Sequence, residues 1–191
     1  MRPMPNRSSL KLAVVVVALI LAGGAQAREK AGITLPDTLT IDGKALTLNG
    51  LGLRTKVMFK VYVAGLYLEK ATDDPATVIA SDQVKRVEMV MLRNLGRGKI
   101  TDAIENGFEK NSKDKLPSLK ARLESFSQAI EDLKTGDKLT ITYQPGKGTK
   151  VQSQSGKNIV IDGKDFADAL FAVWFGKEPA DADLKTGMLG K

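Results

Sequence analysis

The chain has 191 residues and a formal net charge of +7, and it contains neither cysteine nor histidine. The absence of both residue types excludes disulfide bonds, Cys or His nucleophiles, the Ser-His-Asp triad and ordinary zinc or copper sites. Three of the positive charges fall within the first eleven residues and the others are dispersed, so we expect no nucleic-acid partner, no metal and no cofactor.

The first predicted segment is a secretory signal peptide over residues 1–27. Basic residues precede an apolar run over residues 12–22, and Ala25-Gln26-Ala27 has the small-x-small pattern of a cleavage site. The run is shorter than the roughly 20 residues that span a bilayer, which disfavours a retained membrane anchor. We therefore expect export to the periplasm of a Gram-negative bacterium, and a mature domain over residues 28–191 without a membrane span.

Strand patterns come first in this domain. Two β-rich runs within residues 38–48 flank Asp42-Gly43, which is a strong hairpin signal. Residues 56–70 predict one central strand, because apolar side chains occupy both of its alternating faces. A short helix is predicted to begin at Asp74-Pro75, and residues 85–94 return to strand periodicity.

Helical patterns dominate the rest of the chain. Apolar spacing predicts helices over residues 100–108, from residue 119 to Gly136, over 164–176 and over 181–190. Residues 138–154 predict a hairpin, and residues 158–163 predict another short strand. This order of elements predicts one α+β domain, with an antiparallel sheet and helices laid on it.

The glycines before Arg54 resemble a phosphate-binding loop, but their context excludes one. No Gly-Lys-Ser/Thr motif leads into a helix here, and Thr55 stands where a dinucleotide fingerprint has its third glycine. Arg54 is either a surface charge or the polar anchor of an apolar pocket. A buried guanidinium needs an anion beside it, and arginine binds a carboxylate in bidentate fashion.

Other polar and aromatic residues have two interpretations each. Tyr62 is either a core tyrosine bonded to the backbone or a hydroxyl that faces a ligand. The basic loop over residues 93–99, which includes Lys99, is either solvated or an anion-binding loop ahead of a helix. Trp174 is either part of the core or part of the lining of a ligand cavity.

Three segments resemble the chalcone isomerase family. FKVYVAGLYLE (59–69) is similar to a strand signature of the family, and NGLGLR is similar to the glycine-rich approach to its active-site arginine. Residues 170–190 are similar to its closing helix-glycine-helix segment. The resemblance covers residues 33–190 and is strongest to the bacterial, exported chalcone isomerase-like group. It implies an open-faced β-sandwich, in which an antiparallel sheet and a layer of helices enclose a ligand cleft.

The resemblance also assigns site residues. Arg54 corresponds to the arginine that holds a substrate phenolate or a ligand carboxylate, and Asn106 matches an asparagine of the following helix. Three positions differ from true isomerases: Tyr62 replaces a threonine that polarises the ketone, Lys99 replaces the catalytic tyrosine, and Val173 replaces a pocket threonine. Arg54 with Tyr62 is instead similar to the non-catalytic fatty-acid-binding branch.

We therefore expect a monomeric, non-catalytic protein that binds a fatty acid or a similar apolar carboxylate. The expected ligand-binding residues are Arg54, Tyr62, Lys99, Asn106, Val173 and Trp174. The expected surroundings of the apolar tail are Met58, Ala64, Phe108, Phe126 and Trp174. Two alternatives stay open: an isomerase that closes chalcones or related conjugated ketones as an intramolecular lyase, with Arg54 orienting the substrate, and an interaction protein that has this fold but no small ligand.

Overall fold

The computed structural model describes residues 26–191, so the predicted signal peptide lies almost entirely outside the described residues. Within these residues the chain forms one seven-stranded sheet and one two-stranded sheet, with antiparallel pairing throughout. No helix in this part of the chain is long and apolar enough to cross a membrane.

The strands follow one another in the sheet in the order in which they occur in the sequence. The small sheet contains β1 (Ala27–Lys30) and β2 (Ile33–Pro36). The large sheet has the order β3-β4-β5-β6-β7-β8-β9. Its strands are β3 (Thr38–Ile41), β4 (Lys44–Lys56), β5 (Phe59–Leu68), β6 (Lys85–Met91), β7 (Lys138–Gln144), β8 (Gly148–Ser153) and β9 (Asn158–Ile161).

The helices lie between or after these strands. They are α1 (Pro75–Ala80), α2 (Arg97–Ser112), α3 (Leu116–Ala129), α4 (Lys164–Phe175) and α5 (Ala182–Met188), and a 3-10 turn joins α2 to α3. The predicted α+β class, with helices laid on an antiparallel sheet, is confirmed. The predicted end of α3 at Gly136 is wrong, because the helix ends at Ala129 and Leu133 then forms a β-bridge with Leu95.

Two apolar clusters cover the two faces of the sheet. On β5, Tyr62 and Leu66 belong to the main core between the sheet and the helices. Val63 and Tyr67 belong to the second cluster, which includes Leu35 of the small sheet. Since every residue from Val61 to Leu68 is buried, the predicted central strand covered on both faces is confirmed for this part of the segment.

The predicted start of the central strand at residue 56 is wrong, because β5 begins at Phe59. Residues 56–59 form a second hairpin turn, in which Lys56 pairs with Phe59 and both Val57 and Met58 have positive φ angles, 48° and 65°. Arg54 therefore belongs to β4 and not to the approach to β5. The sequence did not predict this turn because Val-Met lacks the Asn-Gly or Asp-Gly pattern that such turns favour.

The glycines before Arg54 allow a helix to pack closely on the sheet. A Cβ atom on Gly50 would collide with the carbonyl oxygen of Gly187, and one on Gly52 with the carbonyl oxygen of Leu184. Both carbonyls belong to α5. The glycine pair therefore lets the backbone of α5 lie directly against β4, beside Arg54.

Candidate ligand-binding site

An apolar cavity lies between the large sheet and helices α2 and α4. Its walls include Met89 and Met91 from β6, Ile100 and Ile104 from α2, and Val173 and Trp174 from α4. The cavity has a free volume of about 30 Å³, which is room for a water molecule and not for a larger ligand. A ligand with an apolar tail can therefore enter only if lining side chains move.

Arg54 and Tyr62 lie on the same face of the sheet and both line this cavity. They are direct partners in the β4–β5 pairing, next to an irregularity between Arg54 and Thr55. The guanidinium carbon of Arg54 lies 5.6 Å from the centre of the Tyr62 ring. The hairpin turn at residues 57–58 produces this contact, because it folds the two strands back on each other.

The Arg54 guanidinium forms no hydrogen bond or ion pair with another residue in the described range 26–191. The side chain is only partly buried, so it lies at the mouth of the cavity. Asp181, a nearby carboxylate, accepts hydrogen bonds from the backbone N–H groups of Thr55 and Leu184 at 3.1 Å and 2.9 Å. The hydrogen-bond donors of Arg54 are thus available to an anion.

Tyr62 lies deeper in the cavity and is buried. Its hydroxyl oxygen accepts a hydrogen bond from the indole N–H of Trp174 at 3.1 Å. Within the described part of the chain, the hydroxyl hydrogen has no acceptor of its own. The hydroxyl is therefore held by Trp174 and still able to donate to a bound group.

The other predicted site residues divide into two groups. Lys99 lines the cavity from the first turn of α2 and is exposed, and Val173 lines it as a buried residue. Asn106 is exposed on α2, where its amide donates to the carbonyl oxygen of Asp102 at 2.7 Å, and it does not line the cavity. Arg54, Tyr62, Lys99, Val173 and Trp174 thus meet at one cavity, and their binding roles stay predictions.

The predicted surroundings of the apolar tail need one correction. Met58 is 94% exposed at the tip of the β4–β5 hairpin, so its predicted place inside the domain is wrong. Ala64, Phe108 and Phe126 are fully buried, but they lie in the core outside the cavity lining. Met89 and Met91 of β6 line the cavity instead.

Other residues of the protein already form hydrogen bonds with the basic loop before α2. The backbone N–H of Arg97 donates to a carboxylate oxygen of Asp132 at 2.7 Å, and the Arg97 side chain donates to the carbonyl oxygen of Ser127 at 3.1 Å. The carboxylate of Asp132 therefore already serves as the anion at the N-terminus of α2. Among residues 26–191, no group of three or more acidic side chains could hold a metal ion.

A buried lysine lies outside the cavity and has a structural role. The ammonium of Lys85 donates to the carbonyl oxygens of Val78, Ile79 and Ser81 at 2.9, 2.6 and 3.2 Å, where α1 ends. It also lies 4.8 Å from the centre of the Phe171 ring. Burial lowers the pKa of Lys85 from 10.5 to about 8. Positive charge is favourable at a helix C-terminus, so Lys85 holds α1 against the sheet.

Comparisons with known proteins identify the fold family. The sequence profile of the chalcone isomerase-like family matches residues 27–190. A crystal structure of a fatty-acid binding protein from Arabidopsis thaliana has a TM-score of 0.66 at 15% sequence identity, with 86% of this chain and 96% of that chain covered. No curated protein sequence matches the chain. The predicted family and the curled antiparallel sheet with its helical layer are therefore confirmed, and the chain belongs to the chalcone isomerase-like family.

Proposed function

We propose that the protein is a non-catalytic periplasmic protein that binds a fatty acid or a similar apolar carboxylate. One observation carries the proposal: the guanidinium of Arg54 has no partner among residues 26–191 and lies over Tyr62 at the mouth of an apolar cavity. The structural likeness to a fatty-acid binding protein supports the same class of ligand.

The polar groups suit a carboxylate. Arg54 can donate two parallel N–H bonds to the two carboxylate oxygens, and such charge-assisted bonds are roughly twice as strong as neutral ones. Tyr62 can donate one further bond from its hydroxyl, which the indole of Trp174 holds in position. Lys99 adds a second positive charge at the same cavity.

The apolar tail requires the cavity to open. With a free volume of about 30 Å³, the closed cavity does not hold a chain of methylenes. Met89, Met91 and Leu95 line it, and unbranched methionine side chains rearrange at low energetic cost. Each methylene that becomes buried contributes about 0.8 kcal/mol, so the affinity should rise with chain length once the lining has opened.

Titration of the purified protein with palmitate tests the carboxylate anchor. We expect Arg54→Ala to weaken palmitate binding by about tenfold or more, since it removes a charge-assisted pair. Lys120→Ala removes a charge from an exposed position on α3 and should leave the affinity unchanged. Hexadecanol has the same tail without the carboxylate, and it should bind wild type and Arg54→Ala equally. Equal palmitate affinity in wild type and Arg54→Ala would contradict the proposal.

A further inference from the structure

We infer that the tip of the β4–β5 hairpin docks on the surface of an anionic phospholipid bilayer. The tip consists of Val57, Met58 and Phe59, which are 79%, 94% and 60% exposed. Only one other large apolar side chain in the described range 26–191, Val160, is exposed to a similar extent. Because these three exposed apolar side chains are consecutive and lie at one turn, they form a contiguous apolar patch and are not isolated surface residues.

The backbone of the tip makes this patch more unusual. Val57 and Met58 both have positive φ angles, 48° and 65°. Asn and Gly are the residues that such two-residue hairpin turns favour, and a β-branched residue in this region is an outlier. The same chain uses Asp42-Gly43 at the β3–β4 turn, where the φ angles are 47° and 78°. The β4–β5 turn thus has two apolar residues in a backbone conformation that Asn-Gly or Asp-Gly would adopt at lower energetic cost.

Basic side chains surround the tip. Lys56 pairs with Phe59 and Lys60 pairs with Thr55, so both lysines flank the turn, and both are exposed. The guanidinium carbon of Arg93 lies 4.8 Å from the centre of the Phe59 ring. Residues 44–68 contain no Asp or Glu. Asp181, a carboxylate beside the turn, already accepts the Thr55 N–H at 3.1 Å.

This arrangement matches a bilayer surface better than a protein surface of mixed charge. Apolar side chains enter the boundary between headgroups and acyl chains, while flanking lysines and arginines bind anionic headgroups. A hairpin tip with two or three apolar residues inserts only shallowly, so binding should be reversible and weakened by salt. The docked tip would place Arg54, three residues from Val57 and at the cavity mouth, close to the lipid surface.

Sedimentation with vesicles tests the inference. The protein is produced from its full sequence, and mass spectrometry defines the N-terminus, so that every variant carries the same one. Wild type should bind vesicles with about one third phosphatidylglycerol at least about tenfold more strongly than pure phosphatidylcholine vesicles, and about 0.5 M salt should weaken this binding.

The decisive variant replaces the tip without disturbing the fold. Val57→Asn with Met58→Gly introduces the residues that this turn prefers, so the protein should be at least as stable as wild type. We expect its binding to phosphatidylglycerol vesicles to fall about tenfold. The double variant Lys60→Gln with Lys56→Gln should reduce binding only to the anionic vesicles. Val160→Thr, which changes the exposed apolar residue of β9, is the matched control and should bind as wild type does.

Three results would overturn the inference. The first is absence of wild-type binding to phosphatidylglycerol vesicles at low salt, and the second is equal binding by wild type and the tip variant. The third is self-association, or binding to another protein, that the tip variant loses and that occurs without any binding to vesicles. Docking does not depend on the proposed carboxylate anchor: Tyr62→Phe should weaken palmitate binding and leave vesicle binding unchanged, so failure of one proposal is distinguishable from failure of the other.

Discussion

The indole N–H of Trp174 in α4 donates a hydrogen bond to the hydroxyl oxygen of Tyr62 in β5, across 3.1 Å. Both residues are buried and line the same cavity. This bond links the helical layer to the central strand of the sheet at the place where we propose that a carboxylate binds. The geometry of the Tyr62 hydroxyl therefore depends on the position of α4.

The first prediction concerns this bond. Tyr62→Phe leaves the Trp174 N–H buried without an acceptor, so we expect a loss of about 1–3 kcal/mol in the free energy of unfolding. Trp174→Phe removes the donor and should also cost stability. If the bond matters, the double variant should lose about 1 kcal/mol less than the two single losses together, as measured by urea denaturation. Additive losses would show that the two residues act independently.

The second prediction concerns the pH dependence of stability. The pKa of Lys85 in the folded protein is about 8, below the ordinary value of 10.5, because the ammonium is buried. Between these two pH values the unfolded chain still holds a proton that the folded protein has released, so stability should rise with pH. Below about pH 8 both forms are protonated, and the penalty for burying the charge is present in full.

Comparison with Lys85→Met isolates this effect. The methionine variant lacks the titrating group, so its stability should not share the rise between pH 8 and 10.5. Across this window we expect the free energy of unfolding of wild type to rise relative to that of Lys85→Met by up to about 3 kcal/mol. A tenfold change in proton affinity corresponds to about 1.4 kcal/mol. Chemical denaturation at several pH values in this window measures it. A constant difference across the window contradicts the prediction.

The third prediction concerns the close packing of α5 on β4. Gly52→Ala directs a Cβ atom at the carbonyl of Leu184, and a helix backbone cannot yield as a flexible side chain does. We expect a loss of more than about 2 kcal/mol in the free energy of unfolding. Gly98→Ala is the matched control, because its Cβ would meet no atom within 4 Å and alanine favours the helix that contains it. Equal thermal stability of Gly52→Ala and wild type would refute the prediction.

The fourth prediction concerns the place of the ligand tail. Ala103 lines the cavity from α2, so Ala103→Leu should fill the cavity while Arg54 itself stays in place as the anchor. We expect palmitate affinity to fall about tenfold or more, because methylenes can no longer be buried there. Asn106→Leu changes an exposed residue of the same helix outside the cavity, and it should leave palmitate binding intact. Weaker binding in Asn106→Leu alone would instead support the role that the family resemblance assigns to Asn106.

The sequence by itself determined the chemistry of the domain and the class of its fold. Alternating apolar residues in β5 predicted a strand buried on both faces, and residues 61–68 are all buried. The lack of cysteine and histidine excluded whole classes of catalysis. The chemistry of single residues marked Arg54 and Tyr62 only as candidates, and the family resemblance then paired them as expected ligand-binding residues. These properties belong to single segments, and a local pattern is enough to predict them.

Only the tertiary structure decided how these segments meet. Strand pairing placed the β4–β5 turn at Val57-Met58, which exposed Met58 and set Arg54 against Tyr62. The packing of α5 explained Gly50 and Gly52, which the sequence presented only as a glycine-rich approach to Arg54. Such relationships depend on contacts between residues far apart in the chain, and shifting the register of a strand by one residue reverses which side chains face the core. A local pattern does not contain that register, because the energy that selects it comes from the packing of the whole sheet and its helices.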